Sequence, residues 1–221
     1  MLRRNFISLA MLGFLGNSWA EVKKGKGKMK ILILGATGSL GSYVIEALNS
    51  PKVELVLFSR KAKRLDNYKN QANIKIIEGD ATNKADLIKA LEGVDAVYAG
   101  LAGSLEQMAK NLIEAMNEVK VKRVVWITSY GIYNEAGRGT MPPSSYVNSA
   151  KIIEGSNLDY TLIRPQWFSS RNEINYEITH RNEPFKNPDA QISRKSIADL
   201  VRRCLLEDFG IRDSLGINRK E

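Results

Sequence analysis

Gly35, Gly38 and Gly41 stand three residues apart, between an apolar run at 31–34 and an amphipathic stretch carrying Val44, Ile45 and Leu48. Glycines so placed let a chain leave a strand in a tight turn, bring bare backbone up to a pyrophosphate, and pack the next helix close against the sheet. That helix then offers free N–H groups and the positive end of its dipole to the phosphates. The candidate phosphate contacts are Gly35, Thr37, Gly38, Ser39, Leu40 and Gly41. The spacing GxxGxxG disfavours nucleoside triphosphate hydrolysis. A triphosphatase loop needs Gly and Lys five and six positions after its first glycine, where Leu40 and Gly41 stand. The bland alternative is a tight turn and nothing more.

A second group of residues bears on which nucleotide would bind. An acid at the end of the second strand would accept a hydrogen bond from a ribose 2′-hydroxyl and favour NAD. This chain instead reads Ser59-Arg60-Lys61-Ala62-Lys63-Arg64 there. Arg60 and Arg64, four apart, share a face if the segment is helical, and their guanidinium groups suit a 2′-phosphate. The cofactor expected is therefore NADP rather than NAD; the alternative is a solvated basic helix start. After the third strand, Asp80 followed by Ala81 could accept from an adenine amino group, or serve only as the N-cap of a helix beginning near Asn83. One cysteine, Cys204, and one histidine, His180, exclude a disulfide framework and multi-histidine or cysteine metal sites, so no metal is expected.

These residues need a scaffold that delivers them to one edge. Short runs rich in aliphatic and β-branched residues at 31–34, 53–58, 74–77, 94–98, 124–128 and 160–163 read as buried parallel strands. Helical patterns near 40–49, 83–91, 104–119, 144–156 and 195–207 lie between and after them. Along 105–119, Leu105, Met108, Ala109, Leu112, Ala115, Met116 and Val119 keep a 3–4 spacing. The alternation predicts an α/β fold: a single-domain, Rossmann-type doubly wound parallel sheet flanked by helices, spanning 29–221. A short substrate-side segment is expected near 165–190.

Taken in order, MKILILGATGSLG, FSRKAKR, EGDATN, WITSYGIY, LDYTLIRP and ISRKSIADLV resemble the atypical short-chain dehydrogenase/reductase superfamily. The closest pattern is the NAD(P)H-binding branch related to biliverdin-IXβ/flavin reductase and NmrA-like proteins, over about 29–207. The resemblance implies that the glycine loop, Arg60, Arg64, Asp80 and Ala81 contact NADP. It also implies that Gly100, Leu101 and Ala102 pass beneath the nicotinamide ribose. In the superfamily a Ser after the fifth strand polarises a substrate carbonyl, and Ser129 stands there. A Tyr exchanges the proton, aided by a Lys four residues on. Here Tyr146 and Lys151 are five apart, a rotation of about 500° on a regular helix, which takes them off a shared face unless the helix starts after Tyr146. The branch itself lacks that pair and is expected to position hydride donor and acceptor. Tyr130 and Tyr133 have a structural reading as cover for the sheet edge. His180 is a proton-donor candidate on the substrate-side segment, and Trp167, Phe168 and Tyr176 could stack on a planar substrate.

The net charge of +9 is concentrated at the front. The first thirty residues carry +6 of it, from Arg3, Arg4, Lys23, Lys24, Lys26, Lys28 and Lys30 against Glu21. What remains is unremarkable for a globular domain, and no aromatic-interleaved basic stripe suggests nucleic acid as a partner. Residues 1–20 read as a twin-arginine-like signal peptide, with cleavage after Ala20, and 21–28 as a basic linker. The apolar part is too short to span a bilayer core of about 30 Å, so no stable membrane insertion is expected after cleavage. Location is accordingly expected to be periplasmic, the alternative being a cytoplasmic protein started at Met29. The function expected is an NADP(H)-dependent oxidoreductase passing hydride to a small planar or carbonyl acceptor of flavin, quinone or aldehyde/ketone type. The alternative is a non-catalytic NmrA-like NADP-binding, redox-sensing protein. The oligomeric state is left open.

Overall fold

A computed structural model describes residues 27–135 and 142–221. The signal-peptide reading of 1–20 and most of the basic linker therefore lie outside the described residues. The elements run β1 (Met29–Leu34), α1 (Gly41–Leu48), β2 (Val53–Ser59), a 3-10 segment (Ala62–Tyr68), β3 (Ile74–Glu78), α2 (Lys84–Ala90), β4 (Ala96–Ala99), α3 (Leu105–Glu118) and β5 (Arg123–Ile127). After them come α4 (Ser144–Glu154), β6 (Asp159–Pro165), β7 (Phe168–Ser169), β8 (Glu177–Thr179), β9 (Ile192–Ser193), α5 (Arg194–Leu206) and β10 (Asp213–Asn218).

The strands are apolar on both sides because both faces of the sheet are covered. Ile31 and Ile33 of β1 face one core with Val44 and Ile45 of α1 and Ile197 and Val201 of α5. Leu32 and Leu34 face the other, with Leu112 and Met116 of α3 and Ile153 of α4. The eight-stranded sheet has the order β3-β2-β1-β4-β5-β6-β10-β8, parallel throughout except for β8, which runs antiparallel to β10. This is the doubly wound Rossmann-type α/β fold. From β1 the chain winds outward to β2 and β3, then returns to place β4 on β1's other side. The strand order therefore reverses between β1 and β4, and ligands of open α/β sheets sit outside the carboxyl ends of strands at such a point.

Ile192 belongs to a separate two-stranded sheet of β7 and β9 rather than to the main sheet. The main sheet is extended on that side by β10 and β8, neither legible from periodicity. Cys204 is fully buried in α5, and burial pushes its thiol up to about 12.

Candidate cofactor site

The chain leaves β1 at Gly35 with φ +84, a left-handed conformation that side chains resist. A Cβ at Gly35 would also run into the Gly100 peptide, whose carbonyl carbon would lie 2.8 Å from it. The two loops at the switch point thus touch backbone to backbone. A Cβ at Gly41 would sit 2.5 Å from the Ala36 carbonyl oxygen and 2.6 Å from that of Gly35, so α1 can begin this close to the loop only on glycine. The turn is held by Gly38 N–H donating to Gly35 O (2.9 Å) and Gly41 N–H donating to Gly38 O (3.0 Å). No acid stands in the first turn of α1 to oppose an anion at its positive end.

Beside this loop lies an open cleft of about 360 Å³. Gly35, Thr37 and Gly38 form one wall and Gly100, Leu101 and Ala102 another, with Met108 of α3 behind them. Ser39, Leu40 and Gly41 do not line it. Leu40 is buried in the α1 core, and Gly41 opens the helix. The end of β2 brings Ser59, Arg60, Lys61 and Arg64 to the rim. Ser59 Oγ accepts from Lys61 N–H at 3.1 Å and lies 3.5 Å from Thr37 Oγ1, joining the rim to the glycine loop. Arg60 and Arg64 do come together, though not by helical spacing. The segment is a 3-10 helix starting at Ala62, and its only buried residue is Leu65. With Leu65 buried and only Tyr68 beside it partly so, it has no broad face to sustain an α-helix. Lys61, a third cation on the same rim, was read as part of that basic run without a role.

The end of β3 supplies Gly79, Asp80 and Ala81. Asp80 is not the N-cap of α2. That place belongs to Asn83, whose side chain accepts from Ala85 N–H. Asp80 Oδ1 instead accepts from the backbone N–H of Thr82 (2.8 Å) and from its hydroxyl (2.9 Å). These bonds, aided by Arg60, hold the Asp80 carboxyl below its ordinary range against a partial burial that raises it. The residues fit a dinucleotide: a bare-backbone cradle that a Cβ would fill, cations on the rim, and an ionised acceptor at the far end.

The proposed chemical end is less unified. Ser129 stands just after β5, one strand from β4, and its hydroxyl donates to the Tyr130 carbonyl at 3.1 Å. Helix α4 starts at Ser144, before Tyr146. Tyr146 and Lys151 are therefore both helical and about 140° apart. Tyr146 packs against the core, while Lys151 is exposed. The structure does not bring the two onto one face. Tyr130 packs against Phe185 with ring centroids 4.4 Å apart and the planes tilted by 58°, and the Tyr133 hydroxyl is bonded to the Glu154 carboxylate. Buried Arg164 pairs with Glu135 at 2.5 Å.

His180 follows β8, the far edge of the sheet and four strands from β4, about 19 Å by inter-strand spacing. Its Nδ1 lies 2.6 Å from Asp213 Oδ2. The proton-donor role is therefore withdrawn. Phe168 lies under the Arg194 guanidinium, and Tyr176 bonds Asp199 at 2.7 Å, so both are structural. Trp167, at the carboxyl end of β6, is 79% exposed. Among the described residues no helix is long and apolar enough to cross a membrane, and no three His, Cys, Asp or Glu residues are grouped to hold a metal.

Comparison with known proteins yields three kinds of match. A profile described as NAD(P)H-binding matches residues 35–208. An isoflavone reductase homolog from Nicotiana tabacum is 29% identical over 155 residues, which make up 64% of this chain and 49% of that protein. The chain spans about half the length of the curated relatives it matches. Among solved structures, a Rossmann-fold NAD(P)-binding family protein from Shigella flexneri is 34% identical, with 86% of this chain and 93% of that one covered and a TM-score of 0.75. A short-chain dehydrogenase/reductase from Veillonella parvula DSM 2008, in complex with NADP, is 25% identical, with 86% and 94% covered and a TM-score of 0.76.

Proposed function

Because the chain belongs to the NAD(P)H-binding family, within the atypical short-chain dehydrogenase/reductase superfamily, we propose that it is an NADP(H)-dependent oxidoreductase acting on a small planar or carbonyl acceptor. The observation that carries this reading is the glycine-floored, cation-rimmed cleft at the β1/β4 switch point. In it Gly35, Thr37 and Gly38, ahead of the positive end of α1, hold the pyrophosphate. Arg60, Lys61 and Arg64 meet the 2′-phosphate, Asp80 meets the adenine, and Gly100–Ala102 carry the nicotinamide ribose. A bound reduced nicotinamide supplies the hydride. Ser129, one strand over, orients the acceptor's oxygen by hydrogen bond once its hydroxyl turns from the Tyr130 carbonyl. With Tyr146 and Lys151 on different faces of α4, the proton comes from solvent through the open side of the cleft.

That separation favours a second reading, a non-catalytic NADP-binding sensor. NADPH oxidation followed with a panel of flavins, quinones and aldehydes decides between them. Turnover with any member supports the reductase. Tight NADPH binding with no turnover across the panel supports the sensor.

Trp167 bears on the acceptor. Its backbone is pinned, with its N–H donating to Gln166 Oε1 at 2.8 Å and its carbonyl accepting from Ile192 N–H at 2.9 Å. Tyr130 N–H, beside Ser129, donates to the Pro165 carbonyl two residues earlier in the chain. An exposed indole on a fixed strand end next to Ser129 is suited to stack on a planar acceptor. Such a contact contributes about 1 kcal/mol. Trp167→Ala is therefore expected to raise KM for quinones and flavins about fivefold, leaving aliphatic aldehydes unaffected. Equal KM values for quinones in both proteins would remove Trp167 from the site.

The reading extends to location. Export of folded protein through the Arg3-Arg4 signal would deliver a filled cofactor site to the periplasm. Replacing both arginines by lysine is then expected to retain the protein in the cytoplasm, as read by fractionation and N-terminal sequencing. Unchanged export would point to the general secretory route instead.

A further inference from the structure

Helix α3 lays an apolar stripe on the sheet, and one buried position in that stripe is an amide. Asn111 is 8% exposed beside Met108, Leu112 and Ala115. A buried amide needs partners for its polar atoms. Its Nδ2 donates to the Thr82 carbonyl oxygen at 2.7 Å, and its Oδ1 accepts from Gln107 Nε2 at 2.7 Å. A carbonyl can only accept, so the amide has one possible orientation, nitrogen toward Thr82 and oxygen toward Gln107. Thr82 then directs its own N–H and hydroxyl onto Asp80 Oδ1. Asn111 thus fixes the Thr82 residue through its carbonyl, and Thr82 in turn fixes the Asp80 carboxylate through its N–H and hydroxyl. The Asp80 backbone is fixed separately, its N–H donating to Asp86 Oδ2 at 3.0 Å. The relay occupies Oδ1 and sets the rotamer of the carboxylate, leaving Oδ2 to accept from a ligand.

We infer that Asn111 and Gln107 are positioning residues that make the cleft selective for a base bearing an exocyclic amine. Neither touches the ligand. They act by holding Asp80 as a pure acceptor in one orientation. The inference rests on the reading that the cleft binds NADP(H) with its adenine at Asp80. A base with a carbonyl in place of the amine, as in hypoxanthine, would put oxygen against carboxylate oxygen.

The test titrates the full chain with NADPH, its hypoxanthine analogue and NADH, following cofactor fluorescence. The wild-type protein is expected to favour NADPH over the hypoxanthine analogue by about tenfold, the range of one hydrogen bond to a charged acceptor. In Asn111→Leu that ratio is expected to fall to about two or less, while the NADPH-to-NADH ratio stays at its wild-type value, because the cations that read the 2′-phosphate lie on another strand end. Gln107 is exposed, so Gln107→Ala keeps the fold and is expected to lose part of the base selectivity. Full base selectivity in both variants would overturn the inference. So would a parallel loss of both ratios in Asn111→Leu, which would mark general loosening. Equal binding of the two bases by the wild-type protein would remove the adenine reading of Asp80 itself, a separate failure.

Discussion

NADPH is expected to bind at least tenfold more tightly than NADH, a difference of about 1.4 kcal/mol, and Arg60→Ala together with Arg64→Ala is expected to erase most of it. Both arginines are exposed on the cleft rim, where charge-assisted bonds to a 2′-phosphate form in high dielectric and are screened by salt. The margin should therefore shrink as ionic strength rises, while NADH affinity, which lacks that contact, should move less. Lys61 remains in the double variant and should keep a residue of preference. It is one point charge, whereas each arginine is a planar fork able to grip two phosphate oxygens. Dissociation constants for both cofactors, measured in low salt and again near 0.5 M, would check this. Equal affinity of the unmodified protein for NADPH and NADH would sink the assignment.

The largest loss is expected from Gly35→Val. A side chain there must adopt a positive φ, costing about 1–2 kcal/mol, and must also displace the Gly100 peptide, an overpacking of the kind that costs about 1–3 kcal/mol. Together these reach roughly 3 kcal/mol, or about a hundredfold in cofactor affinity if the loops move apart to accommodate it. If the loops hold, the same strain appears as a lowered melting temperature, so both readouts belong in the experiment. Gly38→Ala provides the internal contrast. A Cβ there would lie 3.1 Å from the Gly35 carbonyl oxygen, which a shift of a few tenths of an ångström relieves. Unchanged affinity and unchanged melting temperature in Gly35→Val would contradict the close approach of the two loops.

How far these features were legible follows from what a pattern of residue types records. Apolar runs report burial, and the buried parallel strands β1, β2, β5 and β6 announced themselves within a residue or two. Strand β10, with the sequence DSLGIN, did not. Leu215 and Ile217 enter a core, but Gly216 between them is small because the Phe185 ring lies against it, and the flanking residues are polar. Strands β7, β8 and β9 are two or three residues long, too short for any period to register. The glycine loop was readable because backbone freedom is written directly in residue type. Asn111 was not. It sits inside a 3–4 apolar spacing that remains convincing without it, and only coordinates reveal that its amide reaches Thr82 twenty-nine positions away. The Tyr146–Lys151 spacing raised a question that turned on where α4 begins, and a helix start following Pro143 settled it toward separate faces.

The rim segment after β2 is tied to the core by Leu65 and, more loosely, by Tyr68, and its other positions answer to different demands. Exchanges at its exposed positions alter folding stability by no more than about 0.5 kcal/mol, so selection against unfolding scarcely restrains them. On the proposed NADP(H) assignment, the preference between NADP and NAD would therefore drift or be recruited through a few neutral steps. The glycine floor, where each change brings strain, stays put. On that assignment, a lineage carrying this fold would be free to change the pool of reducing power it draws on while inheriting the same cradle.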